Sequence, residues 1–178
     1  GIPERRQGLA EYHARVFGRS FSAEEFFVTG GGMQAIQIAI DLVAGKGDEL
    51  IHLTPAWPNI AAGTLVSGAT PVPVSLMPGD NGWLCDPERI EAAVTPRTRA
   101  IFINTPSNPT GWTADLDTLR AILELARRRG LWIIADEIYT RFYYGGARAP
   151  SLFDIMDAED RIIFVNSFSK NWAMTGWR

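Results

Sequence analysis

The chain has 178 residues, 46% apolar and 21% charged, a composition that fits one folded core and excludes a disordered tail, a collagen-like fibre and a coiled coil. Seventeen basic and 20 acidic side chains give a formal net charge of −3, so there is no basic excess to neutralise phosphate backbones, and nucleic acid is not an expected partner. No apolar run reaches the roughly 20 residues that span a bilayer and no signal peptide is visible. The single cysteine, Cys85, has no internal disulfide partner, and together these features favour a reducing, cytoplasmic setting.

Helices and strands alternate along the chain. Pro3 opens a predicted helix that runs to Phe17 and stops at Gly18. Phe26-Phe27-Val28-Thr29 reads as a short strand, followed by glycines 30, 31 and 32 and a helix from Met33 to Val43. Glu49 to Leu53 is a short apolar run, Pro58 to Val66 a helix, and Thr70 to Val74 a strand. Met77 to Leu84, rich in Gly, Pro and Asn, reads as a loop. Asp86 and Pro87 form an N-cap and first-turn pair for a helix through Ala93. Ala100 to Ile103 is a strand. Asp115 to Arg129 carries the clearest helical period, with Leu119, Ile122, Leu123 and Ala126 on one face and Gly130 as its stop. Leu131 to Ala135 and Arg161 to Val165 are continuous apolar runs of buried-strand length. Such runs suit a parallel sheet covered by helices on both faces, so the expected fold class is α/β, a three-layer α/β/α domain with a mostly parallel sheet. No repeat or linker divides the chain.

In open α/β sheets ligands bind beyond the carboxyl ends of the strands. The residues that follow the predicted strands are therefore the functional candidates: Gly30-Gly31-Gly32, Thr54-Pro55-Ala56-Trp57, Asn104 through Gly111, Asp136-Glu137-Ile138-Tyr139, and Asn166 through Lys170. A glycine loop before a helix offers free N–H groups to an anion and is equally a tight turn. Lys170 is either a surface charge or an amine able to form a Schiff base. Asp136, at the end of an apolar strand, needs a partner, which could be a helix terminus, a salt bridge or a ligand nitrogen. Trp57 is either core or a stacking plate. Asn108, flanked by Pro106 and Pro109, is either an Asx turn or a rigidly placed amide. Arg178 could fork onto a phosphate or sit in solvent. His13 and His52 have no second ligand at metal spacing and read as structural. Arg127-Arg128-Arg129 reads as a solvated helix terminus. Trp83, Trp172 and Trp177 read as core or subunit-interface residues.

Taken together these residues resemble the class I/II aminotransferases, enzymes of fold type I that depend on pyridoxal 5'-phosphate (PLP). Ser167 to Arg178 (SFSKNWAMTGWR) resembles the family's lysine motif and Thr105 to Gly111 its asparagine motif. Ala135 to Tyr139 resembles its aspartate–tyrosine motif, Gly30 to Ala35 its phosphate loop, and Pro55 to Pro58 its ring-stacking loop. The resemblance implies that Lys170 carries PLP and moves the substrate's α-proton. It implies that Asp136 keeps the pyridine nitrogen protonated, that Tyr139 and Asn108 bond the ring's 3'-oxygen, and that Trp57 stacks on the ring. Gly31, Gly32, Met33, Ser167, Ser169 and Arg178 would hold the phosphate. It further implies amino acid and 2-oxo acid substrates and a homodimer. Carbon–sulfur lyase or decarboxylase chemistry, and a non-catalytic PLP-sensing domain of a transcription regulator, are the alternatives. Gly1 is not an initiator Met and the chain stops inside the lysine motif. The expectation is therefore a partial large domain over 1–178, without the family's N-terminal segment and small C-terminal domain.

Overall fold

The computed structural model describes residues 1–177. Its centre is a five-stranded sheet of β1 (Glu49–Thr54), β2 (Thr70–Ser75), β5 (Thr98–Asn104), β6 (Trp132–Asp136) and β7 (Ile162–Val165), in the order β2-β1-β5-β6-β7. Every neighbouring pair in it is parallel. Six helices accompany it: α1 (Pro3–Phe17), α2 (Gly32–Val43), α3 (Asn59–Val66), α4 (Pro87–Ala92), α5 (Leu116–Arg129) and the single turn α6 (Phe168–Asn171).

Period-2 alternation divides the strands between two cores. Ile51, Leu53, Ile101, Ile103, Ile133 and Ala135 face α4 and α5, packing on Ile90, Leu119, Ile122, Leu123 and Ala126. Leu50, Ala100, Phe102 and Ile134 face α2 and α3, packing on Ile36, Ala39, Ile40 and Ile60. The central strands are buried on both faces, which is why they read as unbroken apolar runs rather than as alternation. The expected three-layer fold is thus what forms.

Local chemistry sets the ends of the helices. The Asp115 carboxylate accepts from the Thr118 N–H to start α5, and Gly130 ends it at φ 65, a left-handed conformation that glycine adopts without a Cβ penalty. The Asp86 side chain caps α4 in the same way, accepting from the Glu88 N–H. The arginines closing α5 are paired rather than merely solvated. Arg127 reaches Asp157 and Asp160, while Arg128 and Arg129 both reach Glu91 on α4.

Two expectations fail. Residues 26–29 form no strand; Phe26 joins an aromatic cluster with His13 and Phe21, whereas Phe27 is 81% exposed. β-propensity without a neighbouring edge to pair with makes an extended segment, not a strand. Residues 77–84 are not a loop but a hairpin of β3 (Met77–Gly79) and β4 (Gly82–Leu84), closed by the two-residue turn Asp80-Asn81. Turn-rich composition marks the tip of a hairpin as readily as an irregular loop.

The sheet core predicts a sharp contrast in chemical denaturation. Ile101→Ala empties a fully buried site in the central strand and is expected to cost about 2–5 kcal/mol. Leu65→Ala, at a position 62% exposed on α3, should change stability by no more than about 0.5 kcal/mol.

Candidate functional site

Chain order reverses direction between β1 and β5. From β1 the chain goes to β2 on one side and later returns to β5 on the other. Such a switch point opens a crevice beyond the carboxyl ends of the two strands, and a cleft lies there. Leu53, Ala56 and Trp57 line it from the end of β1, Phe102, Asn104, Ser107, Asn108 and Trp112 from β5 and its loop, and Asp136 from the end of β6. The cleft is narrow, with room of its own of only about 20 Å³ below an open mouth.

Asp136 dominates the electrostatics. It is 3% exposed, and its Oδ1 is met by the Ile138 N–H at 3.4 Å, a long bond. Burial pushes its carboxyl up to about 7, with that backbone bond opposing only weakly. The adjacent Glu137 is a useful contrast. It is equally buried and its carboxyl is also pushed up to about 7, mainly by desolvation. However, Glu137 points to protein: its Oε2 accepts from the Ser151 hydroxyl at 2.6 Å and its Oε1 from the Leu152 N–H at 3.1 Å. Glu137 pins a neighbouring loop, while Asp136 faces a cleft.

Asn104 organises the floor. It stands opposite Asp136 in the β5–β6 register. Its Nδ2 donates to the Asp136 carbonyl at 3.1 Å and its Oδ1 accepts from the Asn108 N–H at 2.8 Å. One amide thereby ties the strand carrying Asp136 to the loop carrying Asn108. Asn104 stood among the strand-end candidates without a role of its own, and Trp112 was not a candidate. Position at a strand end beside Asp136 was the available signal for Asn104; Trp112 gave none, because an indole after a Pro-rich loop reads as core.

The glycine loop and the lysine segment meet beside this cleft. A Cβ built on Gly32 would lie 3.7 Å from the Ser167 Cβ and 4.0 Å from the Ile138 Cγ2, so α2 begins against Ser167. The first N–H groups of a helix have no intrahelical acceptor, and Gly32 and Met33 supply them here, while the N–H of the N-cap Gly31 meets the Thr29 Oγ1 at 3.4 Å. Ser167 caps α6 by accepting from the Ser169 N–H at 3.1 Å. Lys170 lies on α6 and is exposed. Tyr139 lies one turn beyond Asp136 and lines a broader open groove that shares Ser107 and Asn108 with the cleft. Trp57, Asn108 and Asp136 therefore come together in one cleft, and Gly31, Gly32, Met33, Ser167, Ser169, Lys170 and Tyr139 stand on the segments around it. Arg178 lies outside the described residues.

This donor set suits a small planar ring with a basic nitrogen and an anionic arm. Three aromatic side chains, Trp57, Phe102 and Trp112, line the cleft, a desolvated carboxylate faces it, and a helix N-terminus adjoins it. The profile of the family described as aminotransferase class I and II matches residues 1–178. The chain belongs to that family, whose members are PLP-dependent.

Among its relatives is a probable aspartate/prephenate aminotransferase of Thermus aquaticus, 39% identical over the whole chain and 45% of its own length. An arginine–pyruvate transaminase of Pseudomonas aeruginosa is 36% identical over 97% of the chain and 44% of its own. In structure, an N-succinyldiaminopimelate aminotransferase of Mycobacterium tuberculosis superposes with a TM-score of 0.93 at 33% identity, over 99% of this chain and 46% of its own. The chain thus spans a little under half the length of these relatives.

The desolvated carboxylate predicts an inverse pH effect in the protein without cofactor. A carboxyl whose folded pKa lies above its unfolded value stabilises below the unfolded value, near 4, and loses that contribution as pH rises through about 7. Asp136→Asn should therefore gain stability over the wild type, by about 1–3 kcal/mol between pH 5 and pH 8, measured by urea unfolding at both pH values. Parallel pH dependence of the two proteins would contradict it.

Proposed function

We propose that this chain is most of the large domain of a PLP-dependent aminotransferase that moves an amino group between an amino acid and a 2-oxo acid. The observation that carries this reading is the desolvated Asp136 carboxylate, at the switch point of a parallel sheet, in a cleft lined also by Trp57 and Asn108. The family profile and the aminotransferase relatives support it.

The assignment of roles follows from the chemistry of each group. Bound PLP would supply an aldehyde that joins amines and a ring that accepts negative charge from a substrate carbon. Asp136 would hold the proton on the ring nitrogen, because a buried carboxylate and a cation stabilise each other's charge. Trp57 would stack on the ring face. The Asn108 amide and the Tyr139 phenol would bond the 3'-oxygen. Backbone N–H groups at Gly31, Gly32 and Met33, with Ser167, Ser169 and Arg178, would take the phosphate. The Lys170 Nζ would bind the cofactor covalently, then take the proton from the substrate's Cα and return it.

The chain's share of its relatives' length, a little under half, supports a larger polypeptide; on this reading it carries a further small domain and an N-terminal segment and works as a cytoplasmic homodimer. Among the described residues no helix is long and apolar enough to cross a membrane. Aminotransfer is favoured over lyase or decarboxylase chemistry because the relatives named above are aminotransferases or transaminases.

The full-length protein reconstituted with PLP should show a visible cofactor band. Borohydride should fix the cofactor's mass on the peptide containing Lys170. Lys170→Ala should abolish both, with activity lowered at least about 1,000-fold. Amino-group transfer should require a 2-oxo acid; turnover of the amino acid without one would instead favour lyase or decarboxylase action.

A further inference from the structure

Lys170 sits on α6, a helix of only four residues, and a single turn does not hold itself in place. Its position depends on what fastens it. Ser167 caps the turn from below through the Ser169 N–H. The residue after the lysine, Asn171, fastens it sideways. The Asn171 Oδ1 accepts from the Arg141 N–H at 3.1 Å, and its Nδ2 donates to the Thr140 Oγ1 at 3.2 Å and to the Asn166 Oδ1 at 3.1 Å. Thr140 and Arg141 are the two residues directly after Tyr139, and Asn166 is the residue that leaves β7. One side chain thus joins three backbone stretches: the exit of β7, the lysine turn and the tyrosine loop.

The chemistry of the three partners requires an amide. An N–H needs an acceptor. The Asn166 Oδ1, which accepts from the Ser167 N–H at 2.8 Å, has a second lone pair that takes a donor. Only a group with an oxygen and an NH₂ at its tip meets both. Alanine meets neither, and a carboxylate would oppose the Asn166 oxygen. The next residue reinforces the joint. The Arg141 guanidinium lies 4.9 Å from the Trp172 ring centroid and donates to the Tyr12 hydroxyl at 3.2 Å, while the Tyr12 and Trp172 rings meet at 5.5 Å. Helix α1 therefore backs the same junction.

We propose that Asn171 is a positioning residue that sets the place of the Lys170 amine relative to the Tyr139 phenol. The inference rests on the cofactor reading above and goes beyond it, since Asn171 itself need touch neither cofactor nor substrate. A reacting amine displaced by about 1 Å loses on the order of 100-fold in rate, and moving a polar group relative to a bound cofactor changes the hydrogen bonds that set the cofactor's own titration.

The test uses the full-length protein loaded with PLP. Three quantities are read: the pH midpoint of the visible cofactor band, kcat and KM for transamination, and borohydride fixation at Lys170. Asn171→Ala is expected to move the pH midpoint by at least about 0.5 unit and to lower kcat about 10–100-fold with KM within about threefold. Thr140→Val, which keeps the shape of a buried side chain and removes one partner, should move both in the same direction by less, whereas Thr140→Ser should restore wild-type values. Should Asn171→Ala fail to fold, the Thr140 pair decides alone. A lowered unfolding temperature with unchanged pH midpoint and kcat would make Asn171 structural only and overturn the proposal. Absence of a fixed adduct in the wild type would overturn the cofactor reading and this proposal together; an adduct in the wild type with silent variants overturns this proposal alone.

Discussion

A carboxylate removed from water with one long hydrogen bond is an unstable arrangement unless something else completes it. Asp136 is such a group, and the architecture around it is what makes the arrangement possible. The strand that delivers it is apolar on both faces, its neighbours β5 and β7 are in parallel register with it, and the switch between β1 and β5 leaves space beyond its end. The core stabilises the sheet; the sheet in turn holds a charge where solvent does not reach it. A protonated ring nitrogen entering that space would pair with the Asp136 carboxylate, and their attraction would offset the desolvation that raises the free carboxyl to about 7.

The pair Asp136–Glu137 shows how neighbouring residues of like chemistry divide structural and chemical work. Alternation along the chain sends their side chains to different surroundings. Glu137 is fully engaged by Ser151 and Leu152, and that loop is in turn held by the Arg148–Asp154 ion pair at 2.6 Å. Asp136 keeps its acceptor capacity for the cleft. Burial and a raised pKa are common to both; the hydrogen-bond partners tell them apart.

Much of this was legible in the chain because it rests on local rules. Strand runs buried on both faces, the Asp86 cap and the Gly18 and Gly130 stops each depend on residues close in sequence, and helices α1 to α5 and the parallel strands fall within a residue or two of their expected bounds, whereas the single turn α6 was not expected. What was not legible depends on partners distant in sequence. Phe26 to Thr29 has the composition of a strand but no edge to pair with. The 77–84 hairpin is decided by pairing across a turn whose residues also make loops. Asn104 and Asn171 act through bonds to segments about 30 residues away; a strand end and the lysine motif marked the stretches they stand in, but not these bonds. The candidate site was named through strand ends and a family resemblance, while the amides that tie its loops together needed coordinates.

The most direct test of the central claim is the protonation of the cofactor's ring nitrogen, read as the ¹⁵N chemical shift of ring-labelled PLP bound to the full-length protein. With Asp136 beside it, the nitrogen should carry its proton at pH 8 in the wild type and lose it in Asp136→Asn. A wild-type nitrogen without a proton at pH 8, or a shift indifferent to the residue at position 136, would contradict the account.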